Sequence, residues 1–286
     1  MNSLSGHTHP FAVLGHPIGH TLSPVMHNAS FAAQQRDAIY LAFDVHPDRL
    51  LHVLPAMRDM GFRGVNLTVP LKEVAFAGLT DLDESARLVS AVNTVAFTPK
   101  GLVGHNTDGY GYLKAMEEAF GPSVQGESLF VLGTGGAGRA LALVSAKQSA
   151  SAITLADRDG ARAERVAAEI RSVNPTIPVS TVETGQHAEA ARCADVILQC
   201  SPVGMKASDP SLLPAAAFRT GQKVLDLVYM YPETAFLQTA RTAGARVANG
   251  LGMLLHQGAR SFTLWTGEEP SVDAMRLALE KAVYNG

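Results

Sequence analysis

The chain has 286 residues, of which 47% are hydrophobic and 17% charged, so it can bury a substantial core. This composition excludes a disordered chain, a collagen and a small scaffold held together by disulfides. With 23 basic and 26 acidic residues, the formal net charge of -3 provides no global field that would recruit nucleic acid or an anionic membrane. At roughly 150 residues per domain, the length predicts about two domains.

The first ten residues and the two cysteines indicate the compartment. The start is polar and His-rich, and no apolar run approaches the roughly 18 residues of a membrane span. Cys193 and Cys200 form neither a CxxC motif nor a zinc pattern, and we expect both to be reduced core residues. The sequence therefore predicts a cytoplasmic protein with no nucleic-acid or membrane partner, either a monomer or a homodimer.

In the first third of the chain, short β-rich apolar runs alternate with helical patterns. Strands are predicted at residues 11–15, 38–45 and 64–69, and helices start near Pro24 and Pro47. A strand-like run at 91–98, a Lys100-Gly101 turn and a helix from about Thr107 to Phe120 follow.

From residue 128 onward the strands recur regularly, with Ala-rich helices between them. They are predicted at residues 128–133, 152–156, 179–182, 195–200, 223–228 and 246–248. This alternation predicts a doubly wound, mostly parallel sheet. The tail, residues 251–284, contains two helical patterns and no convincing strand.

A glycine-rich loop follows the first strand of this second series. Gly133, Gly135 and Gly138 form a G-x-G-x-x-G motif between an apolar strand and a helix, the arrangement that binds a dinucleotide pyrophosphate. Asp157 ends the next strand, where its carboxylate can accept hydrogen bonds from the ribose hydroxyls of NAD. The neighbouring Arg158 can pair with a phosphate instead, so the pattern favours NAD and leaves NADP open. Asp157 acting only as a helix cap is the structural alternative.

Two residues in the first half of the chain are candidates for proton chemistry. Lys72 lies in the first turn of the helix that follows Pro70, where the helix dipole disfavours a cation, and this unfavourable position suggests a functional group. Asp108 begins another helix and can hold a lysine and share its proton. From the residues alone, two alternatives remain: Lys72 is an ordinary surface lysine, and Asp108 is only the N-terminal cap of its helix. No metal-ligand motif is present, and we expect no metal.

Seven ordered motifs carry a resemblance to a known family. They lie at residues 15–28 (GHPIGHTLSPVMHN), 66–73 (NLTVPLKE), 91–94 (AVNT), 104–109 (GHNTDG), 133–138 (GTGGAG), 226–229 (DLVY) and 252–259 (GMLLHQGA). On these motifs the chain resembles the shikimate dehydrogenases, including the quinate/shikimate dehydrogenases, over nearly its whole length.

The resemblance implies a two-domain α/β fold. A discontinuous substrate-binding and catalytic domain, residues 1–107 and 250–286, is expected to enclose an inserted Rossmann-type NAD(P)-binding domain, residues 108–249. The implied reaction interconverts shikimate and 3-dehydroshikimate in chorismate and aromatic amino-acid biosynthesis, by hydride transfer with NAD or NADP. Three alternatives remain: activity on quinate, a modified shikimate as the substrate, and a ligand sensor without catalysis.

The same resemblance assigns roles to individual residues. Lys72 and Asp108 are the catalytic pair, and Lys72 exchanges the proton of the reacting hydroxyl. The substrate-binding residues are Thr21, Ser23, Thr68, Asn93, Tyr229 and Gln257. The cofactor-binding residues are Gly133, Gly135, Gly136, Ala137, Gly138, Asp157, Arg158, Met205 and Gly250. Thr21 replaces a usual serine, and Asp157-Arg158-Asp159 replaces the Asn-Arg-Thr of NADP-preferring members, which puts the usual NADP preference in doubt.

Overall fold

The computed structural model describes residues 4–121 and 124–284, and within them the chain forms twelve strands and eleven helices. The strands are β1 (His9–Gly15), β2 (Ala38–Asp44), β3 (Gly64–Leu67), β4 (Asp81–Leu82), β5 (Thr94–Thr98), β6 (Gly101–His105), β7 (Ser128–Leu132), β8 (Ala152–Ala156), β9 (Val179–Val182), β10 (Val196–Gln199), β11 (Lys223–Asp226) and β12 (Arg246–Asn249). The helices are α1 (Ser23–Ala33), α2 (Leu50–Asp59), α3 (Leu71–Gly78), α4 (Glu84–Val89), α5 (Asp108–Phe120), α6 (Gly136–Lys147), α7 (Gly160–Val173), α8 (His187–Cys193), α9 (Ala235–Thr242), α10 (Leu251–Thr266) and α11 (Val272–Tyr284).

The described chain divides into two units. The first contains the described residues of Met1–Gly111 and Leu254–Gly286, and the second contains those of Tyr112–Met253. Each unit has its own six-stranded sheet.

The sheet of the first unit is mixed, in the order β2-β1-β3-β5-β6-β4. β1 pairs in parallel with β2 and β3, whereas β5 pairs antiparallel with β3 and β6. The two faces of β1 are both buried: Phe11 and Val13 pack in one apolar cluster, and Ala12 and Leu14 in another. Burial on both faces explains why β1 is continuously apolar rather than alternating.

The sheet of the second unit is parallel throughout, in the order β12-β11-β10-β7-β8-β9. The strand order reverses between β7 and β10, and in such sheets ligands bind beyond the carboxyl ends of the strands at this point. The predicted fold class, α/β with a Rossmann-type unit inserted in a discontinuous first unit, is confirmed.

Ser23 is the first residue of α1, and its N–H donates to Thr21 Oγ1 at 3.3 Å. One local expectation was wrong. Cys193 is exposed rather than part of the core, because it ends α8 at the surface; neither cysteine forms a disulfide. Residues 101–105 form β6, for which the sequence predicted no element beyond the turn at its start. A Cβ at Gly104 would lie 2.8 Å from a methyl group of Val92 and 2.9 Å from one of Leu82, so a side chain there would displace both.

His27 is an unusual member of the first unit's core. It is fully buried on α1, its ring stacks on Tyr40 with centroids 4.3 Å apart, and neither ring nitrogen has a hydrogen-bond partner among the described residues. Burial lowers the pKa of His27 from its ordinary 6.5 to about 3. His27 is therefore neutral in the folded protein at neutral and mildly acidic pH.

This burial predicts an acid-sensitive first unit. A histidine whose pKa is lower in the folded state than in the unfolded state leaves the unfolding free energy at its full value above the unfolded pKa. As the pH falls below the unfolded pKa, the unfolded state binds a proton that the folded state does not, and the unfolding free energy decreases. Between about pH 8 and about pH 5 the wild-type protein should lose about 2 kcal/mol of unfolding free energy through His27 alone. In His27→Leu this loss should be absent.

Urea unfolding at the two pH values measures the effect. It can be followed by the fluorescence of Trp265, the single tryptophan of the chain, which lies in the same unit. The matched control is His52→Leu, since His52 is exposed. An equal loss of stability in wild-type and His27→Leu protein would rule out the buried histidine as its cause.

Candidate active site

Lys72 and Asp108 are brought together in the first unit. Lys72 is the second residue of α3, which begins directly after Pro70, and Asp108 is the first residue of α5. Lys72 Nζ donates to Asp108 Oδ2 at 2.6 Å, and the two side chains are only 28% and 17% exposed. A negative charge is favoured at the start of α5, so Asp108 is well placed to hold a cation.

Asn93 holds the second oxygen of the Asp108 carboxylate. Asn93 Nδ2 donates to Asp108 Oδ1 at 2.9 Å and to Thr107 Oγ1 at 2.9 Å. The backbone N–H of Thr107, which can only donate, reaches Asn93 Oδ1 at 2.8 Å. That bond fixes which end of the carboxamide faces Asp108, and both carboxylate oxygens are therefore held by donors.

A buried polar cluster continues from Asn93 into the core. Thr94 Oγ1 donates to Asn93 Oδ1 at 3.0 Å, and Asn66 Nδ2 lies 2.9 Å from both Thr94 Oγ1 and Ser261 Oγ. The Tyr40 hydroxyl donates to Asn66 Oδ1 at 2.7 Å. Sequence reasoning missed Asn66, Thr94 and Ser261 as members of the site. A satisfied buried network of this kind rigidifies the groups that it contacts.

The other predicted substrate residues of the first unit lie on three elements. Gln257 is on α10, with Oε1 3.4 Å from Asn93 Nδ2 and 3.5 Å from Thr107 Oγ1. Thr21 and Ser23 lie at the start of α1, and Thr68 lies between β3 and α3. Among the described residues, no hydrogen bond joins these last three side chains to Lys72 or Asp108.

Tyr229 and Met205 belong to the second unit, and the contacts of Asp226 organise their loops. Asp226 accepts hydrogen bonds from Thr234 Oγ1 at 2.6 Å and Gln199 Nε2 at 3.2 Å. Burial raises the pKa of Asp226 to about 6 despite these bonds. Burial also raises the pKa of Tyr229, which is partly buried, whereas Met205 is exposed.

The glycine-rich loop joins β7 to α6 in the second unit. Gly133 has φ +97°, and a Cβ there would lie 2.9 Å from Ser201 N, so only glycine fits. Gly138 packs against the Gly133 carbonyl, which leaves no room for a side chain. Nothing lies within 4 Å of a Cβ position at Gly135 or Gly136, the two residues at the start of α6. The loop thus leaves room for a phosphate at a helix N-terminus.

A cavity of about 440 Å³ opens beside this loop. Its lining includes four of the predicted cofactor residues, Gly133, Gly135, Asp157 and Arg158. It also includes three residues that sequence reasoning missed, Arg162, Thr184 and His187. Arg162 lies in the first turn of α7, whereas Arg158 precedes this helix, so no helical spacing in the sequence links the two. Neither Met205 nor Gly250 lines this cavity; Gly250 is buried against the Leu227 carbonyl.

Asp157 is charged and firmly held. Burial alone would raise its pKa, but hydrogen bonds from the backbone N–H groups of Asp159 and Thr134 and from the Thr134 hydroxyl hold the pKa below its ordinary value. The cap of α7 is Asp159, whose side chain accepts the Arg162 N–H at 3.1 Å. The alternative that Asp157 itself caps this helix is therefore wrong.

Within residues 4–121 and 124–284, no group of three or more His, Cys, Asp and Glu residues is arranged to hold a metal ion. No helix in the same part of the chain has the length and apolar character needed to cross a bilayer.

Fold and site together define the class of the protein: a two-unit α/β protein with a Rossmann-type unit that fits a dinucleotide. Comparison with family models is specific. Residues 13–95 match the shikimate dehydrogenase substrate binding domain, and residues 250–280 match the shikimate 5'-dehydrogenase C-terminal domain. Residues 128–227 match a model described as NADP oxidoreductase, coenzyme F420-dependent.

Individual relatives cover nearly the whole chain. A shikimate dehydrogenase (NADP(+)) of Moorella thermoacetica is 43% identical over 95% of this chain and 92% of its own. The structure of shikimate 5-dehydrogenase from Listeria monocytogenes in complex with shikimate and NAD is 35% identical, with a TM-score of 0.90 and coverage of 98% and 99%. Quinate dehydrogenase from Corynebacterium glutamicum in complex with NAD is 31% identical, with a TM-score of 0.87 and coverage of 95% and 98%. The chain belongs to the shikimate dehydrogenase family.

Proposed function

We propose that this chain interconverts shikimate and 3-dehydroshikimate by NAD(P)-dependent hydride transfer, as a step of aromatic amino-acid biosynthesis. The observation that carries the proposal is the partly buried Lys72–Asp108 pair, 2.6 Å between Nζ and Oδ2, in a chain of this family. A lysine held by a carboxylate beside a rigid polar cluster suits the removal of a proton from an alcohol.

In the oxidation direction, the amine of Lys72 accepts the proton of the reacting hydroxyl, and the carboxylate of Asp108 neutralises the charge that forms on Nζ. A nicotinamide cofactor held by the second unit would supply the acceptor for the hydride on the carbon that bears this hydroxyl. In the reverse direction, Lys72 returns the proton to the carbonyl oxygen. The two oxygens of Asp108 accept hydrogen bonds from Lys72 and from Asn93, which fixes the carboxylate beside Nζ.

The substrate's remaining groups are assigned to neutral side chains. The hydroxyls of Thr21 and Ser23 would bind the carboxylate together with Tyr229, and Thr68, Asn93 and Gln257 would bind the ring hydroxyls. A site that hydrogen-bonds each hydroxyl discriminates strongly against an analogue that lacks one, because a polar group is then left unpaired. This mode of binding needs no cluster of positive charge.

The second unit would bind the cofactor. The room at Gly135 and Gly136, the start of α6 and the cavity beside Asp157 and Arg158 fit a dinucleotide. The domain bounds 1–107 with 250–286 and 108–249 remain our assignment for the substrate-binding and cofactor-binding parts. A cytoplasmic location and small molecules as ligands, with no macromolecular partner beyond a second copy, belong to the same proposal.

Quinate is the second candidate substrate. A quinate dehydrogenase is among the similar structures, and Thr21, with its extra methyl group next to the hydroxyl, stands where the family usually has serine. A methyl group changes the selectivity between two related acids by about 1–3 kcal/mol, enough to alter the preference.

A matrix of two acids and two cofactors tests the proposal. Purified protein is assayed with shikimate and with quinate, each with NAD and with NADP, by the absorbance of the reduced nicotinamide. We expect turnover at least with shikimate, and a higher kcat/KM for shikimate than for quinate. Higher kcat/KM for quinate would favour the second candidate, and no turnover in any of the four combinations would refute both.

A further inference from the structure

We infer that Thr134 is a positioning residue that sets the preference between NAD and NADP by holding the Asp157 carboxylate in one orientation. The inference rests on the proposed function, since it takes a nicotinamide dinucleotide as the ligand of the second unit. Thr134 is the variable residue between Gly133 and Gly135, a place that the glycine motif itself leaves open.

Thr134 makes two hydrogen bonds to the same carboxylate oxygen. Its N–H donates to Asp157 Oδ2 at 2.7 Å and its hydroxyl donates to the same oxygen at 2.8 Å. Thr134 is 1% exposed, so water does not compete with its N–H and hydroxyl for the Asp157 carboxylate. The Asp159 N–H donates to the other oxygen, Oδ1, at 2.9 Å. Bonds from fixed donors to an ionised carboxylate are stronger than neutral ones, so Asp157 cannot turn without losing them.

The two bonds from Thr134 come from a residue that does not face the cavity beside the glycine-rich loop. Asp157 lines the cavity beside the glycine-rich loop, with its side chain 9% exposed, whereas Thr134 does not line it. A carboxylate offers about four acceptor positions, and Oδ2 has both of its positions filled by Thr134. Oδ1 has one position left. A ribose hydroxyl, which can donate, fits that position, and a phosphate, which cannot donate as a dianion, does not.

The charges around the cavity are nearly balanced, so charge alone does not select the cofactor. Arg158 and Arg162 both line it, and Arg162 Nη1 lies 3.8 Å from Asp157 Oδ2. Asp159 contributes a second carboxylate, 3.5 Å from Arg162 Nη2. With two guanidinium groups and two carboxylates present, the orientation of Asp157 decides whether the cavity presents an acceptor or frees its arginines for a phosphate.

Thr134→Val tests this role with almost no change in shape. The substitution removes the hydroxyl donor and keeps the backbone N–H. NADH and NADPH are titrated by their fluorescence, in the absence of any acid substrate. We expect the Kd of NADH to rise about tenfold, because Asp157 is no longer held in the orientation that accepts the ribose hydroxyl, and the Kd of NADPH to change less than about twofold. Thr134→Ser, which retains the hydroxyl, should restore the wild-type ratio.

Asp157→Asn completes a double-mutant cycle. Alone it should shift the ratio toward NADPH, because it removes the carboxylate that accepts the ribose hydroxyl and that pairs with Arg162. In the Asp157→Asn background Thr134→Val should cause no further shift toward NADPH, because Thr134 can hold only the single amide oxygen of asparagine, and an NH₂ group then stands where the carboxylate offered the ribose hydroxyl an acceptor. An independent further shift in the double variant would contradict the inference.

The outcomes separate this inference from the proposed function. If the wild-type protein binds both nucleotides and Thr134→Val leaves the ratio of the two Kd values unchanged, only the role of Thr134 is overturned. The same holds if both Kd values rise equally, or if Thr134→Ser behaves like Thr134→Val. Failure of the wild-type protein to bind either nucleotide overturns the cofactor role of the second unit, and the inference with it.

Discussion

Lys72→Met is expected to lower kcat for shikimate oxidation by about 10²–10⁴-fold, the range that a positioned general base contributes. Methionine keeps most of the side-chain stem and removes only the amine, so the packing at the start of α3 is largely preserved. The Kd of shikimate should change little, because the ring and the carboxylate are bound by other side chains in our proposal. Steady-state kinetics and calorimetric titration of shikimate measure the two quantities.

Lys100→Met is the matched control, since Lys100 is an exposed lysine of the same unit. It should retain wild-type kcat. Near-normal kcat in Lys72→Met would remove Lys72 from the chemistry, and a large rise in the Kd of shikimate with little change in kcat would make it a binding residue instead.

Asp108→Asn is expected to have the second-largest effect, a fall in kcat of at least about 10²-fold. Both oxygens of Asp108 accept from donors, Oδ2 from Lys72 and Oδ1 from Asn93. An asparagine must turn its NH₂ group toward one of these donors, so one contact becomes repulsive and the charge that balances Lys72 is lost. The matched control is Asp48→Asn, an exposed carboxylate of the same unit.

Combining the two substitutions tests whether Asp108 acts through Lys72. If it does, the double variant should be no slower than Lys72→Met alone, because residues that work as a unit are not additive. Multiplicative losses in the double variant would mean that Asp108 contributes independently of Lys72.

The dinucleotide-binding half could be predicted from local sequence. β7, the loop from Gly133 to Gly138 and Asp157 follow one another within a single βαβ unit, and each has a local cause. A buried parallel strand is apolar, a positive φ requires glycine, and the carboxylate follows the next strand. The pattern could not predict the orientation and hydrogen bonding of the Asp157 carboxylate, because its bonds to Thr134 depend on how the two side chains are turned.

The candidate active site was predictable only in part. Lys72 and Asp108 are 36 positions apart, and no spacing rule pairs them; the family motifs indicated the pair, and the structure shows the contact. Asn66 and Ser261 are 195 positions apart and meet in the buried cluster. A serine within an apolar helix carries no signal of its own, so a contact of this kind becomes visible only when α10 packs on the sheet.

The most direct test of the account measures the stoichiometry of a single reaction. Wild-type protein is incubated with shikimate and excess cofactor, and 3-dehydroshikimate and reduced nicotinamide are quantified together, with Lys72→Met in parallel. We predict equal amounts of the two products from the wild-type protein and none above background from Lys72→Met. Formation of 3-dehydroshikimate by Lys72→Met at the wild-type rate, or no reduction of either cofactor by the wild-type protein, would contradict the account.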